Sequence, residues 1–243
     1  MTNEYDETTY GNRIADVYDD WHPAAHPEMI AVLKDLAGSG PVLELGIGSG
    51  RVALPLAAQG LEVHGIDASE AMVARLRAKA GAEAITTTIG NFAEVPVDGP
   101  YTLVFIVFNT FFMLLTQEEQ VRCFANVARR LRPGGLFLIE AFVPDLTRFA
   151  RGQIVNATEV STAGVKLEVS RHDPVAQRTT SQQVIITAEG VRLYPIQVRY
   201  AWPSELDLMA RLAGLRLRER WDNWQRTPFK AASGSHISIY ESA

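Results

Sequence analysis

Val42-Leu43-Glu44-Leu45-Gly46-Ile47-Gly48-Ser49-Gly50-Arg51 is an apolar run that ends in a carboxylate and then sets three glycines at alternate positions. A helical pattern follows, with Val52, Leu54, Leu56 and Ala57 as its apolar positions. The order predicts a strand, a tight turn and a helix. Glycine lets the backbone take angles that a Cβ forbids, and lets a ligand lie against the main chain. The first turn of the helix leaves N–H groups without intrahelical partners, turned toward that ligand. The next strand, residues 61–66, leads into Asp67, 21 residues after Gly46. An acid at that place is set to accept hydrogen bonds from ribose hydroxyls.

The sixth place of a dinucleotide fingerprint G-x-G-x-x-G calls for Gly or Ala, and here it is Arg51. Glu44 sits two residues before the first glycine. A pyrophosphate is repelled by such a carboxylate, whereas a ligand with an ammonium group is attracted. The pattern E-x-G-x-G-x-G after a first strand, with Asp67 in register, resembles motif I of the class I S-adenosylmethionine (SAM) methyltransferases. The resemblance implies an α/β fold: a seven-stranded, mostly parallel, doubly wound sheet, with the seventh strand antiparallel between the fifth and sixth. It implies SAM as cofactor and S-adenosyl-L-homocysteine as product. Glu44, Gly46, Gly48, Gly50, Asp67 and the adjacent Ala68 are then cofactor residues. A nucleotide-cofactor oxidoreductase is the alternative that Arg51 and Glu44 count against. A non-catalytic SAM-binding regulator is a third reading.

Later segments extend the resemblance. After Asp67, Ser69 is a helix cap and Met72, Val73, Leu76 and Ala80 form a helix face. Met72 contacts adenine or is an ordinary core methionine. A third strand, 84–89, leads to Gly90-Asn91-Phe92. Members of the family usually carry Gly-Asp there. Asn91 keeps an amide oxygen for the adenine amino group, and Phe92 is placed to stack on the ring. Residues 101–108 are almost wholly apolar, as in a strand buried on both faces. Phe108 and Asn109 lie at its carboxyl end, where open α/β sheets bind ligands. This place resembles motif IV, facing the transferring methyl; a cap or turn role for Asn109 is the alternative. A helix over 117–131, the Leu131-Arg132-Pro133-Gly134-Gly135 turn and a fifth strand over 136–142 follow.

Before the motif, Ile14, Val17, Tyr18 and Trp21 recur at helical spacing. The segment is a plain packing helix or, by resemblance to small-molecule methyltransferases, a lid whose Tyr10 and Tyr18 cover the methionine part of SAM. As a lid, residues 1–21 move when SAM is absent and close over it. His22 and His26 read as surface residues. Between 144 and 202 the period changes to two, which predicts a small inserted antiparallel sheet that covers the cleft. The expected organisation is a helical lid at 1–40, a SAM-binding core at 41–143 and 203–243, and the inserted sheet at 144–202. The lid and insert look most like those of sugar-nucleotide N,N-dimethyltransferases.

Methyl transfer needs no metal and no covalent nucleophile, and none is expected. Candidates for a base are His172, Tyr18, Glu140 and Tyr10. His172 reads as lying in a turn, either folded over the cleft or exposed to solvent. Glu140 binds a substrate hydroxyl if it does not act as base. Net charge of −5 argues against a nucleic-acid partner. No apolar run reaches the roughly 20 residues of a membrane span, and an acidic N-terminus is unlike a signal peptide. One cysteine, Cys123, allows no internal disulfide. The expectation is a cytoplasmic monomer or homodimer acting on a small-molecule methyl acceptor of secondary metabolism, at N or O.

Overall fold

A computed structural model describes residues 5–22 and 24–242. The first four residues of the predicted lid, and Pro23, lie outside the described residues. Two sheets form the frame: seven strands in one, four in the other.

The motif stretch is β1 (Val42–Leu45), the glycine turn, and α4 (Ala53–Ala58), preceded by α3 (Pro27–Ala37). Next come β2 (Val63–Asp67), α5 (Glu70–Arg77) and β3 (Ile85–Ile89). After them run β4 (Tyr101–Ile106), α6 (Gln117–Arg130) and β5 (Leu131–Phe142). The chain ends with α7 (Pro203–Leu212), β10 (Leu215–Trp221) and β11 (Ser235–Ser242). Between β5 and α7 lie β6 (Gln153–Val160), β7 (Gly164–Asp173), β8 (Arg178–Thr187) and β9 (Gly190–Arg199). The large sheet runs β10-β11-β5-β4-β1-β2-β3, with β11 antiparallel to both neighbours. This is the order that the resemblance implies.

Strands β1 and β4 are buried throughout, which is why they read as unbroken apolar runs. One face packs Phe111, Phe112, Phe124 and Leu206 of the α6–α7 side; the other packs Leu33, Val52 and Leu56 of α3 and α4. Each such side chain removed from water contributes roughly 1.5–3 kcal/mol. A capping box starts α6: the Thr116 hydroxyl accepts from Glu119 N–H, and the Glu119 carboxylate accepts from Thr116 N–H. The fifth strand starts earlier than expected, at Leu131, because the Pro-Gly-Gly step is a bulge. Leu131 pairs with Tyr101, Leu136 with Leu103, and Gly134 takes a φ of 72°.

The inserted sheet is antiparallel as expected, and the N-terminal stripe and His172 are where the structure departs from the sequence reading. The N-terminal stripe is two short helices, α1 (Thr9–Ile14) and α2 (Tyr18–Trp21), with a break at 15–17. The inserted sheet is an antiparallel meander of four strands, β6-β7-β8-β9. His172 belongs to β7, opposite Thr179; the turn comes after it, at 174–177.

The meander is bolted to the core by a buried ion pair. The Arg199 guanidinium, 7% exposed, donates to Glu205 at 2.7 Å and to the Gln120 amide at 2.5 Å. Burial acts to raise the Glu205 pKa, but hydrogen bonds from Arg199, Gln177 and Gln117 hold it below the usual carboxylate range.

Candidate active site

The glycine turn is built for close approach. Gly46, Gly48 and Gly50 have φ of 74°, 55° and 80°, the left-handed region. A Cβ on Gly50 would lie 2.2 Å from Leu76 Cδ1, and one on Gly46 2.5 Å from Thr110 Cγ2. Asp67 locks the turn: one carboxylate oxygen accepts from Gly48 N–H, the other from Ser69 N–H, each at 2.8 Å. Burial raises the Asp67 pKa, against those two N–H groups. Each oxygen keeps lone pairs for a further donor.

A cavity of about 270 Å³ lies over this turn. Gly46, Gly48, Asp67, Ala68, Met72, Asn91 and Phe92 line it, together with Tyr10 and Tyr18. The Asn91 side-chain oxygen Oδ1, expected to meet adenine, already accepts from Ala93 N–H at 2.8 Å and keeps one lone pair for a further donor. Gly50 and Glu44 lie outside the lining: Gly50 serves the packing of the turn, and Glu44 is 3% exposed at the end of β1. Glu44 Oε2 is buried without a hydrogen-bond partner among the described residues. Burial pushes the Glu44 pKa well up, opposed by the nearby Arg51 guanidinium. A buried, unpaired carboxyl calls for a cationic donor.

A second cavity, of about 700 Å³, opens between the N-terminal helices, the end of β4 and the inner face of the meander. Phe108 and Asn109 project from β4 into its wall with φ of 60° and 65°. Left-handed angles at two successive non-glycine residues cost of order 1–3 kcal/mol each, a mark of functional loops. Hydrogen bonds hold them: Glu140 Oε2 accepts from Phe108 N–H at 2.9 Å, and Asn109 Oδ1 accepts from Phe142 N–H at 2.7 Å. The other Glu140 oxygen accepts from Trp224 Nε1–H at 2.8 Å. Glu140 is therefore a clamp behind the loop, outside both linings.

His172 also stands behind the wall. Its ring stacks on Phe149 with centroids 4.5 Å apart, and Nε2 lies 2.9 Å from the Tyr200 hydroxyl. Phe149 and Tyr200 face the cavity; His172 reaches it through Tyr200. His22, expected at the surface, is half-buried in the cavity wall. Its ring lies 4.6 Å from that of Tyr18 and 4.9 Å from that of Phe108. Burial, then Arg51 and Lys166, lower its pKa below 6.5, so the ring is neutral at pH 7. The four-residue spacing from Tyr18 to His22 was the signal that puts both on one side of a helix. Phe149, Tyr194 and Tyr200 carried no local signal.

The two cavities meet. Tyr10, Tyr18, Thr110 and Met113 line both. Both tyrosines are raised above their usual pKa, chiefly by burial, and stay phenols. The segment that carries them is tied to the glycine turn and to the start of α5 by Ser49 donating to Asp19 at 2.6 Å and Ser69 donating to Asn12 Oδ1 at 2.7 Å. It is tied to the meander by the edge of Trp21 on Tyr194, and by Lys166 Nζ 3.8 Å over Trp21.

A glycine cradle under an acid-ended second strand, with a buried unpaired carboxyl, defines a nucleoside-binding enzyme of the methyltransferase class. Residues 42–135 match the methyltransferase domain family. The solved CcbJ methyltransferase from Streptomyces caelestis is 43% identical, with a TM-score of 0.91, covering 98% of this chain and 100% of that one. The cypemycin N-terminal methyltransferase of a Streptomyces species is 27% identical over 201 residues, 82% of each chain. SAM-bound CalS10 of Micromonospora echinaspora, an amino pentose methyltransferase involved in calicheamicin biosynthesis, is 16% identical. It has a TM-score of 0.71 over 100% of both chains, and shows a shared fold. The chain belongs to the SAM-dependent methyltransferases, and SAM is its cofactor. No helix among the described residues is long and apolar enough to cross a membrane.

Proposed function

We propose that this enzyme methylates an amine nitrogen of a small natural product held in the larger cavity. The observation that carries this reading is the shared wall of Tyr10, Tyr18, Thr110 and Met113 between a nucleoside-sized cavity and a larger one. A nitrogen acceptor accords with the names of the cypemycin N-terminal and amino pentose enzymes. SAM supplies an electrophilic methyl on sulfonium: the nitrogen–methyl bond forms as the sulfur–methyl bond breaks, its electron pair passing to sulfur.

The residues divide the work. Asp67 would accept from the ribose hydroxyls, and Asn91 and Phe92 would hold the adenine edge and face. Glu44 would meet the methionine ammonium and Arg51 its carboxylate. Glu44 stands outside the lining, so its orphaned Oε2 would act on that ammonium from behind the turn. Tyr10 and Tyr18, kept as phenols, orient the acceptor nitrogen for in-line attack and exclude water. His22, neutral at pH 7 and beside Tyr18, receives the proton that the nitrogen sheds. The segment 5–22 closes over both cavities.

Calorimetry against SAM and NAD, with methyl-labelled SAM offered alongside small amines, phenols, tRNA and protein, tests the reading. Micromolar SAM binding, far weaker NAD binding and label on small amines are expected. Comparable methylation of tRNA or protein overturns it.

A further inference from the structure

The meander carries a polar floor that the transfer chemistry does not use. On its inner face Glu168 lies opposite Gln183 and Ser170 opposite Ser181, on adjacent strands. Glu168, Ser181 and Gln183 line the larger cavity. The direction of their hydrogen bonds follows from which groups hold protons. Ser170 gives its one hydroxyl proton to Glu168 Oε1 at 3.2 Å. The 2.7 Å contact between the two serine hydroxyls is therefore donated by Ser181. With its proton committed, Ser181 offers the cavity lone pairs only. Glu168 accepts at both oxygens, the second from Arg148 at 3.0 Å. Gln183 Oε1 is buried and has no hydrogen-bond partner among the described residues. Lys166, the remaining cation of this wall, is turned onto Trp21.

We infer that Glu168, Ser181 and Gln183 form a floor that receives adjacent O–H or N–H donors of the methyl acceptor. The acceptor is then a ring with at least two such groups on one side and an apolar side toward Phe108 and Phe149. The floor is neutral overall, since Arg148 offsets Glu168, so it selects hydroxyls and amide N–H groups over a second ammonium. This rests on the small-molecule reading and narrows it. Glu168, Ser181 and Gln183 determine specificity; none is placed at the transferring methyl.

The test uses cyclohexylamine, its 3,4-dihydroxy derivative and the matching 3,4-dimethoxy derivative, with methyl-labelled SAM and the full chain. Wild type is expected to favour the diol at least tenfold in kcat/KM over both others. Gln183→Leu is expected to remove at least tenfold from the diol and less than twofold from cyclohexylamine. Ser170→Ala frees the Ser181 proton to turn into the cavity, and is expected to raise the dimethoxy ring relative to the diol. SAM affinity and melting temperature, measured on each variant, separate misfolding from lost recognition. Equal diol preference in wild type and folded Gln183→Leu overturns the inference while leaving small-molecule transfer intact. No transfer to any ring, with SAM binding intact, overturns the small-molecule reading and the inference with it.

Discussion

The two cavities are made in different ways. The base of the smaller, from Gly46 to Phe92, is assembled at the ends of successive parallel strands, within a few positions of turns that the chain must make, and the N-terminal helices add Tyr10 and Tyr18 over it. The larger is assembled from side chains up to about 200 positions apart, Tyr10 to Tyr200, met across a meander and a helical segment. The first is a consequence of the sheet; the second is added to it. A change on one side should therefore leave the other measurable.

The largest expected effect is on the cofactor side. On the proposed reading, Asp67→Ala would remove two charge-assisted bonds to the ribose, each worth about 1.5–3 kcal/mol. It also strips the Gly48 and Ser69 N–H groups of their acceptor. SAM affinity by calorimetry should fall at least 100-fold, and an unchanged affinity would remove Asp67 from the site. Next comes the bolt between the halves. Glu205→Ala leaves the buried Arg199 charge without its carboxylate, at a cost of about 3 kcal/mol or more. For a chain of this size that lowers the melting temperature by roughly 6–12 °C. Hydrogen exchange should rise in β9 while SAM affinity holds within a few-fold. A melting point that stays put would mean that packing alone seats the meander.

Smaller effects sharpen the acceptor side. His22→Ala should lower kcat at least tenfold with SAM affinity unchanged, whereas His172→Ala, acting through Tyr200, should lower it no more than threefold. The reverse order would return the base to His172. The His22 pKa is depressed in the folded chain, so its neutral form is present at pH 7. Activity should be lost as pH falls through a value below 6.5. The sign for stability is the same: the contribution is full above the unfolded pKa and lost as His22 is protonated at lower pH. The smallest change expected is Asn91→Asp, which exchanges an amide for a carboxylate at the adenine edge. It should shift SAM affinity threefold or less; a change beyond tenfold would mean that the amide nitrogen makes a bond of its own.

This difference in construction also sets what the sequence discloses. Gly46, Gly48 and Asp67 are legible as lining because the turn fixes their geometry locally, whereas Glu44 and Gly50 stand behind that lining, and the strand order comes from the resemblance and not from the residues themselves. Asn91 and Phe92 are legible for the same reason. The period-two pattern announces an inserted sheet, yet not its four-strand order or the residues of its inner face that meet β4. His172 misleads because Asp173-Pro174 draws the eye to a turn, while the strand runs on to Asp173 and buries the ring behind Phe149. His22 is passed over because Pro23 follows it in the connection to the next helix, although its spacing from Tyr18 places it on the working face.

The rings that belong to both cavities have a thermodynamic consequence. Tyr10 and Tyr18 cannot be fixed for one occupant and left loose for the other. Whichever molecule arrives first bears the entropy of ordering them, and the second is spared it. The gain is reciprocal by necessity: the factor by which SAM tightens the acceptor equals the factor by which the acceptor tightens SAM. On the proposed reading, demethylated product in the smaller cavity would hold the same rings, so its affinity and that of the acceptor would be coupled in the same reciprocal way.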